Sequence, residues 1–258
     1  MRRLAAVTAI AAAVGLTAAT GAEAADRYVA LGDSYASGLG TRSYSLNAAC
    51  KRGRRAYPSI IDRLRPDTTL VFRACAGART RHVLATQVSS VTAGTDLVTV
   101  SIGGNDVGFA SVIVRCSALP TERCGEAVDD AEAKARNALP GRLDQVYSEI
   151  KRRSPRARVV AIGYPRLFSG TECAEAAGIA AEEQRCFNGA ADVLAGVIRA
   201  RAEAHGLRFV DPRRAYAAHG VCSSERWING VDLPPTESYH PNRAGHAALA
   251  ILVRRVIG

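Results

Sequence analysis

The sequence predicts an α/β protein with a central parallel sheet of about five strands. Short runs rich in valine and isoleucine, typical of strands buried on both faces, recur along the chain. Between them lie stretches in which apolar residues recur every three to four positions, the spacing of a helix with one buried face. Alternation of strand and helix produces parallel neighbours joined by right-handed crossovers, with helices on both faces of the sheet. The expected architecture is therefore a flavodoxin-like three-layer α/β/α sandwich.

The predicted strands and helices can each be assigned to a segment of the sequence. The predicted strands are RYVALG at 27–32, TTLVFRA at 68–74, DLVTVSIG at 96–103, ARVVAIG at 157–163 and LRFVD at 207–211. The predicted helices are RRAYPSIIDRL at 54–64, ALPGRLDQVYSEIKRR at 138–153, EQRCFNGAADVLAGVIRARAEA at 183–204 and NRAGHAALAILVRRV at 242–256. The segments Leu39–Arg55 and Phe109–Glu126 are predicted loops.

The first 24 residues are predicted to be a secretory signal peptide rather than part of the fold. Arg2 and Arg3 give a positive start, an apolar run of small residues follows, and AEA at 22–24 has the form of a cleavage site. The remaining 234 residues (258 − 24), numbered 25–258, suffice for one domain with a proper core. We expect a secreted, extracellular and monomeric protein.

The net charge of +10 does not indicate a nucleic-acid-binding protein. The arginines that supply it are scattered, with few aromatic residues among them to stack on bases. The one dense run, KRGRR at 51–55, is interpreted as a solvated loop, with transient attraction to anionic lipid headgroups as the weaker alternative. We expect no nucleic-acid partner and no cofactor.

The seven cysteines of an exported chain predict three disulfides and one free thiol. The chain contains no Cys-x-x-Cys pair, so a zinc site is not expected. Cys116 and Cys124 are close enough in sequence to link one loop, and Cys50 and Cys75 flank the second strand. The other three compete for the third bridge. Cys186 lies in a helical run, where we expect a buried, unpaired thiol.

Polar residues follow several of the predicted strands. In a parallel sheet the site lies outside the carboxyl ends of the strands. The first strand ends at Gly32-Asp33-Ser34, the second at CAGA (75–78) and the third at GGND (103–106), while ESYHPN (237–242) precedes the last helix. A serine, a glycine, an asparagine and a histidine are therefore expected on one rim.

These residue types suit ester hydrolysis. Ser34 would be the nucleophile, and His240, fixed in its turn by the following proline, the base that takes its proton. Glu237 is the candidate partner of the second ring nitrogen, with a backbone carbonyl at Glu237 or Ser238 as the alternative. The remaining histidines, at positions 82, 205, 219 and 246, are interpreted as structural.

An oxyanion formed during ester hydrolysis needs hydrogen-bond donors. The backbone N–H of Ser34, the backbone N–H of Gly77 and the side-chain amide of Asn105 are the candidates. Asp33 and Asp106 are interpreted as local hydrogen-bonding residues of their loops.

In order and placement, GDSYASG, the glycine of CAGA, GGND and ESYHP resemble the four blocks of the SGNH (GDSL) hydrolases. The closest resemblance is to secreted actinobacterial lipases, esterases and phospholipases A1 with three disulfides. It implies Ser34 as nucleophile, Gly77 and Asn105 as oxyanion donors, and His240 as base. It also implies the pairs Cys50–Cys75, Cys116–Cys124 and Cys173–Cys222. Tyr35 departs from the leucine of GDSL, and Glu237 stands where many members have aspartate.

The resulting hypothesis is a serine hydrolase that cleaves carboxylic esters of lipids, with the two predicted loops shaping its substrate groove. A carbohydrate O-deacetylase of the same fold is one alternative. It would need aromatic platforms for sugar rings, and the chain has a single tryptophan, Trp227, which we interpret as a packed loop anchor. The other alternative is a cell-envelope binding protein that has no catalytic activity.

Overall fold

A computed structural model describes residues 25–118 and 121–258; the predicted signal peptide lies outside them. Five strands form one parallel sheet in the order β2-β1-β3-β4-β5. The strands are β1 Asp26–Gly32, β2 Thr68–Phe72, β3 Leu97–Ser101, β4 Arg158–Ile162 and β5 Arg208–Val210. Each predicted strand is confirmed, and so is the three-layer α/β/α class.

Nine α-helical segments occur in the described part of the chain. They are α1 Ser34–Ser37, α2 Tyr57–Arg63, α3 Thr80–His82, α4 Phe109–Ala118, α5 Thr121–Asn137, α6 Leu139–Arg153, α7 Ala181–Ala204, α8 Arg213–Tyr216 and α9 Arg243–Ile257. A π-helical turn at Val83–Gln87 and 3-10 turns at Val88–Ser90, Ala174–Ala176 and Pro235–Glu237 complete the set. The four predicted helices are α2, α6, α7 and α9.

The two faces of the sheet are buried by different helices. In β1, Val29 and Leu31 share a core with side chains of α6 and α7, including Leu143 and Ile198. The alternate residues Tyr28 and Ala30 pack with α2 and α9. Because side chains alternate between the faces of a strand, each strand must be apolar at nearly every position. This requirement explains the uninterrupted apolar runs of the sequence.

The segment Phe109–Glu126, predicted to be a loop, is instead helical, since α4 and the start of α5 lie within it. The side chains that α5 buries are small: Cys124, Ala127, Val128, Ala131 and Ala135. These residues do follow the helical spacing, but alanine contributes little apolar contrast to a sequence pattern. Weak alanine contrast accounts only for the missed α5. The predicted loop also contains all of α4, whose Val112 and Cys116 are buried four positions apart, so the prediction was wrong.

The segment Leu39–Arg55 contains no helix or strand among the residues that the structure describes, as predicted. Its basic run is less solvated than expected. The ammonium nitrogen of Lys51 lies 5.1 Å from the centre of the Tyr44 ring, and the Arg52 guanidinium donates a hydrogen bond to the Phe72 carbonyl at 2.9 Å. The loop is therefore held against the end of β2.

The structure contains the disulfides Cys50–Cys75, Cys116–Cys124 and Cys173–Cys222. Among the cysteines, all of which lie in the described residues, Cys186 is free. It is exposed rather than buried as predicted, because it lies on the solvent face of α7.

Within the described residues, none of the helices combines the length and the apolar character needed to cross a membrane.

Candidate active site

Ser34 stands where β1 turns sharply into α1. Gly32 has a φ of +134°, and a Cβ there would lie 2.4 Å from the Ser101 carbonyl oxygen, so the turn requires glycine. The Asp33 carboxylate caps α1 by accepting the Tyr35 N–H at 3.0 Å. As the first residue of the helix, Ser34 is 7% exposed and borders a cavity.

His240 reaches Ser34 from the turn before α9. Its Nε2 lies 2.9 Å from Ser34 Oγ, and its Nδ1 lies 2.8 Å from the backbone carbonyl oxygen of Ser238. Because a carbonyl oxygen can only accept, Nδ1 carries the ring proton. Nε2 is then left to accept the proton of the serine hydroxyl, which is the orientation that a general base needs.

The His240 ring is neutral near pH 7. Burial lowers its pKa to about 4, while the Ser238 carbonyl and the negative charge of Glu237 act in the opposite direction. A base has to be unprotonated before it can take a proton, so the lowered pKa is compatible with the role predicted for His240.

The expectation that Glu237 orients the His240 ring is wrong. The buried Glu237 carboxylate accepts the Gly40 N–H at 2.9 Å and the hydroxyl of Tyr44. Its 3-10 turn, Pro235–Glu237, directs the side chain toward the segment that follows α1. The alternative partner, the Ser238 carbonyl, occupies the place predicted for it.

Glu237 nevertheless contributes to the position of His240, because it binds Gly40, which packs against the histidine. A Cβ on Gly40 would lie 2.4 Å from the Pro241 carbonyl oxygen and 2.9 Å from the His240 Cβ, so the Gly40 backbone packs directly against the histidine. By binding the Gly40 N–H, the Glu237 carboxylate holds that packing in place.

The three predicted oxyanion donors border the same cavity as His240. Gly77 has a φ of +77°, which favours glycine, although a Cβ there would meet nothing within 4 Å. The Asn105 amide donates to the Ala78 carbonyl at 3.0 Å, which orients it and leaves its nitrogen a second hydrogen. Ser34, Gly77 and Asn105 thus come together as the sequence predicted.

Tyr164, just beyond β4, is a site residue that sequence reasoning missed. Its hydroxyl donates to the Asp33 carboxylate and accepts the Gly104 N–H at 3.1 Å, which connects the Ser34 turn to the turn that carries Asn105. Burial raises the pKa of Asp33 to about 7. The sequence does contain a signal for this residue, because Tyr164 follows the carboxyl end of a strand, where functional residues gather.

The expectation that Asp106 forms hydrogen bonds within its own loop is wrong, because its partner lies in a different segment. Its carboxylate accepts hydrogen bonds from the Thr80 N–H at 3.0 Å and from the Thr80 hydroxyl at 2.6 Å. It therefore ties the third strand end to α3.

The other histidines have structural contacts. His246, buried in α9, accepts the Tyr57 N–H at 3.3 Å, and His205 bonds to Asp144. His219 stacks on Trp227 with ring centres 3.8 Å apart, so the tryptophan is a packed anchor as predicted. His82 accepts a backbone N–H within its own turn.

The cavity above Ser34 and His240 has a volume of about 490 Å³. Around the two catalytic candidates and Asn105, most of its wall is apolar, formed by Leu39, Phe109, Ala110, Ile113, Ala177, Val231 and Pro235. A cavity of this size with few polar groups suits a small or elongated apolar ligand.

The fold and this geometry define a class: three-layer α/β proteins with a serine–histidine pair at the carboxyl edge of a parallel sheet. The sequence model of the GDSL-like Lipase/Acylhydrolase family matches residues 30–248. The chain belongs to that family, and it is a carboxylic ester hydrolase.

Several similar proteins come from Streptomyces. Lipase 1 of Streptomyces coelicolor is 43% identical over 246 residues, which cover 92% of this chain and 91% of the relative. The crystal structure of an extracellular lipase from Streptomyces rimosus superposes with a TM-score of 0.86 at 40% identity, covering 90% of this chain and 99% of that one. The crystal structure of phospholipase A1 from Streptomyces albidoflavus NA297 superposes with a TM-score of 0.85 at 39% identity, and it too covers 90% of this chain and 99% of that one.

Proposed function

We propose that this protein is a secreted serine hydrolase that cleaves carboxylic esters of lipids, with Ser34 as nucleophile and His240 as general base. The observation that carries the proposal is the 2.9 Å contact between Ser34 Oγ and His240 Nε2 at a largely apolar cavity. A serine hydroxyl is a weak nucleophile, and a neutral imidazole within hydrogen-bond reach activates it.

In the first half of the reaction, Ser34 Oγ attacks the carbonyl carbon of the ester while its proton passes to His240 Nε2. The carbonyl oxygen becomes an oxyanion, which accepts hydrogen bonds from the Ser34 N–H, the Gly77 N–H and the Asn105 amide. The intermediate then collapses, the bond to the alcohol breaks, and the alcohol leaves with the proton that His240 held. The acyl group remains on Ser34.

In the second half, water attacks the acyl carbon and gives a proton to His240, which again acts as base. The second oxyanion collapses, the bond to Ser34 Oγ breaks, and His240 returns the proton to the serine. The products are a carboxylic acid and an alcohol, and the enzyme is regenerated.

The character of the cavity supports lipid esters as substrates. Leu39, Phe109 and Val231 give the wall beside Ser34 an apolar surface that suits an acyl chain. Trp227, the residue best suited to stack on a sugar, packs against Tyr216 and His219 and borders a neighbouring cavity instead. The relatives named lipase and phospholipase A1 support the same substrate class.

Secretion is supported by three features. The first 24 residues have the form of a signal peptide. Three disulfides are typical of proteins that fold in an oxidising compartment. The Streptomyces rimosus lipase, at 40% identity, is described as extracellular.

A fluorophosphonate probe, which labels activated serines, tests the proposal. Wild-type protein should be labelled stoichiometrically at Ser34 and should hydrolyse p-nitrophenyl esters. Ser34→Ala should lose both properties while its circular dichroism is unchanged. Ser37→Ala is the matched control, because Ser37 lies in the same short helix and its hydroxyl donates a hydrogen bond to the Ser34 carbonyl at 3.4 Å, not to His240. Absence of labelling in the wild type would favour the non-catalytic binding protein.

A further inference from the structure

A second, smaller cavity lies directly behind the one that holds Ser34. Tyr35, Phe109 and Tyr164 border both cavities and therefore form the wall between them. The far cavity has a volume of about 30 Å³ and lies among α4, α5, α7 and the residues after β4. Because it lies next to the candidate active site, the question is what could enter it.

Two of the three wall residues are fixed by hydrogen bonds. The Tyr35 hydroxyl donates to the Tyr239 carbonyl at 2.7 Å, and the Tyr164 hydroxyl is bound to Asp33 and Gly104. Both side chains are largely buried. These two tyrosines thus form the rigid part of the wall.

Phe109 is the part of the wall that is not fixed by a side-chain hydrogen bond. Its ring has no polar atom that could anchor it, and the side chain is only partly buried. It is the first residue of α4 and follows Gly108, which has a φ of +84°. A rotation of the Phe109 side chain, which borders both cavities, would break no hydrogen bond.

The far cavity is lined by apolar side chains, many of them small. Alanines from α5 and α7 form one part, and larger apolar residues form the rest: Ala131, Ala135, Ala190, Ala191, Val107, Val112, Phe187 and Leu194. One charged residue, Glu132, borders it, and its carboxylate pairs with Arg136 at 3.1 Å. A volume of about 30 Å³ could hold water, but water needs two to four polar partners.

We propose that the far cavity receives the distal end of a long acyl chain, which passes beside Phe109 while its ester group lies at Ser34. This inference rests on the proposed function, since it assigns a chain-length preference to the same site. An unbranched alkyl tail matches a narrow apolar cavity and can follow the shared wall from one cavity into the other. Each methylene moved from water into such a site raises kcat/KM about fourfold.

The test compares kcat/KM for p-nitrophenyl esters from four to sixteen carbons, below their micelle concentrations. Ala191→Leu fills the far cavity and should lower the long-to-short ratio of kcat/KM about tenfold or more. Phe109→Ala removes this part of the wall between the cavities and should raise that ratio. Ala200→Leu places the same leucine on an exposed position of α7 and is the matched control, with no change expected.

The outcomes separate this inference from the proposed function. If the filled variant is folded and cleaves short esters with an unchanged ratio, the far cavity holds no substrate and the inference is overturned, while ester hydrolysis stands. If the wild type cleaves no ester, the proposed function itself fails. If Ala191→Leu does not fold, Ala190→Leu fills the cavity from a partly buried position. The long-to-short ratio of kcat/KM of that variant then tests the inference in the same way.

Discussion

Acid should inactivate this enzyme only well below the pH at which an ordinary histidine gains its proton. Burial of the His240 ring lowers its pKa to about 4. In the free enzyme, kcat/KM follows the fraction of His240 that is neutral. At pH 5.5 a histidine with an ordinary pKa near 6.5 is about one-tenth neutral, whereas His240 is almost wholly neutral. The expected kcat/KM at pH 5.5 is therefore about tenfold higher than an unperturbed base would allow.

The assay is kcat/KM for a short, soluble ester between pH 4 and 8, with near-ultraviolet circular dichroism recorded at each pH to confirm the fold. Glu237→Gln provides the second curve. The Glu237 charge raises the pKa of His240, so its removal should move the acid limb to lower pH. The Ser238 carbonyl still orients the ring, so kcat should change little. A wild-type limb near pH 6.5, or a thousandfold loss of kcat in Glu237→Gln, would refute this reasoning.

Three further predictions concern single residues. Asn105→Ala should lower kcat about a hundredfold with a modest change in KM, measured by steady-state kinetics, because one oxyanion donor is lost. The folded-state pKa of Asp33, about 7, exceeds its unfolded value of 3.8, so its contribution to stability is complete below about pH 4 and falls as pH rises through 7. Urea unfolding should show this loss, up to about 4 kcal/mol, in the wild type but not in Asp33→Asn. Maleimide should label the folded protein once, at the exposed Cys186.

The central sheet could be predicted because its signal is local. A strand buried on both faces has to be apolar at nearly every position, as Val29 and its neighbours show. Helix α5 could not be recognised in the same way. It buries mainly alanines and a disulfide cysteine, and such a core leaves little contrast between the inner and outer faces of a helix.

Some residues of the candidate site could be predicted from the sequence, and others could not. The place of Ser34 follows from the rule that parallel strands end at one rim, and that of His240 from its position just before the last helix. The role of Glu237 did not follow, since sequence spacing fixes the position of its backbone but not the direction of its side chain. Gly40, which lies far from it in sequence, supplies the N–H that the carboxylate binds. A contact between distant segments of this kind leaves no local pattern.

A neutral partner for His240 changes how charge is balanced in the proposed reaction. Before the attack, the chain from Ser34 through His240 to the Ser238 carbonyl carries no charge. In the transition state the imidazolium and the oxyanion form together, so each lies beside a charge of opposite sign. A carboxylate on the ring would stabilise the imidazolium further, but it would also keep His240 protonated at higher pH. Because the Glu237 carboxylate is bound to Gly40 instead, it holds the loop against the histidine and leaves the base free at low pH.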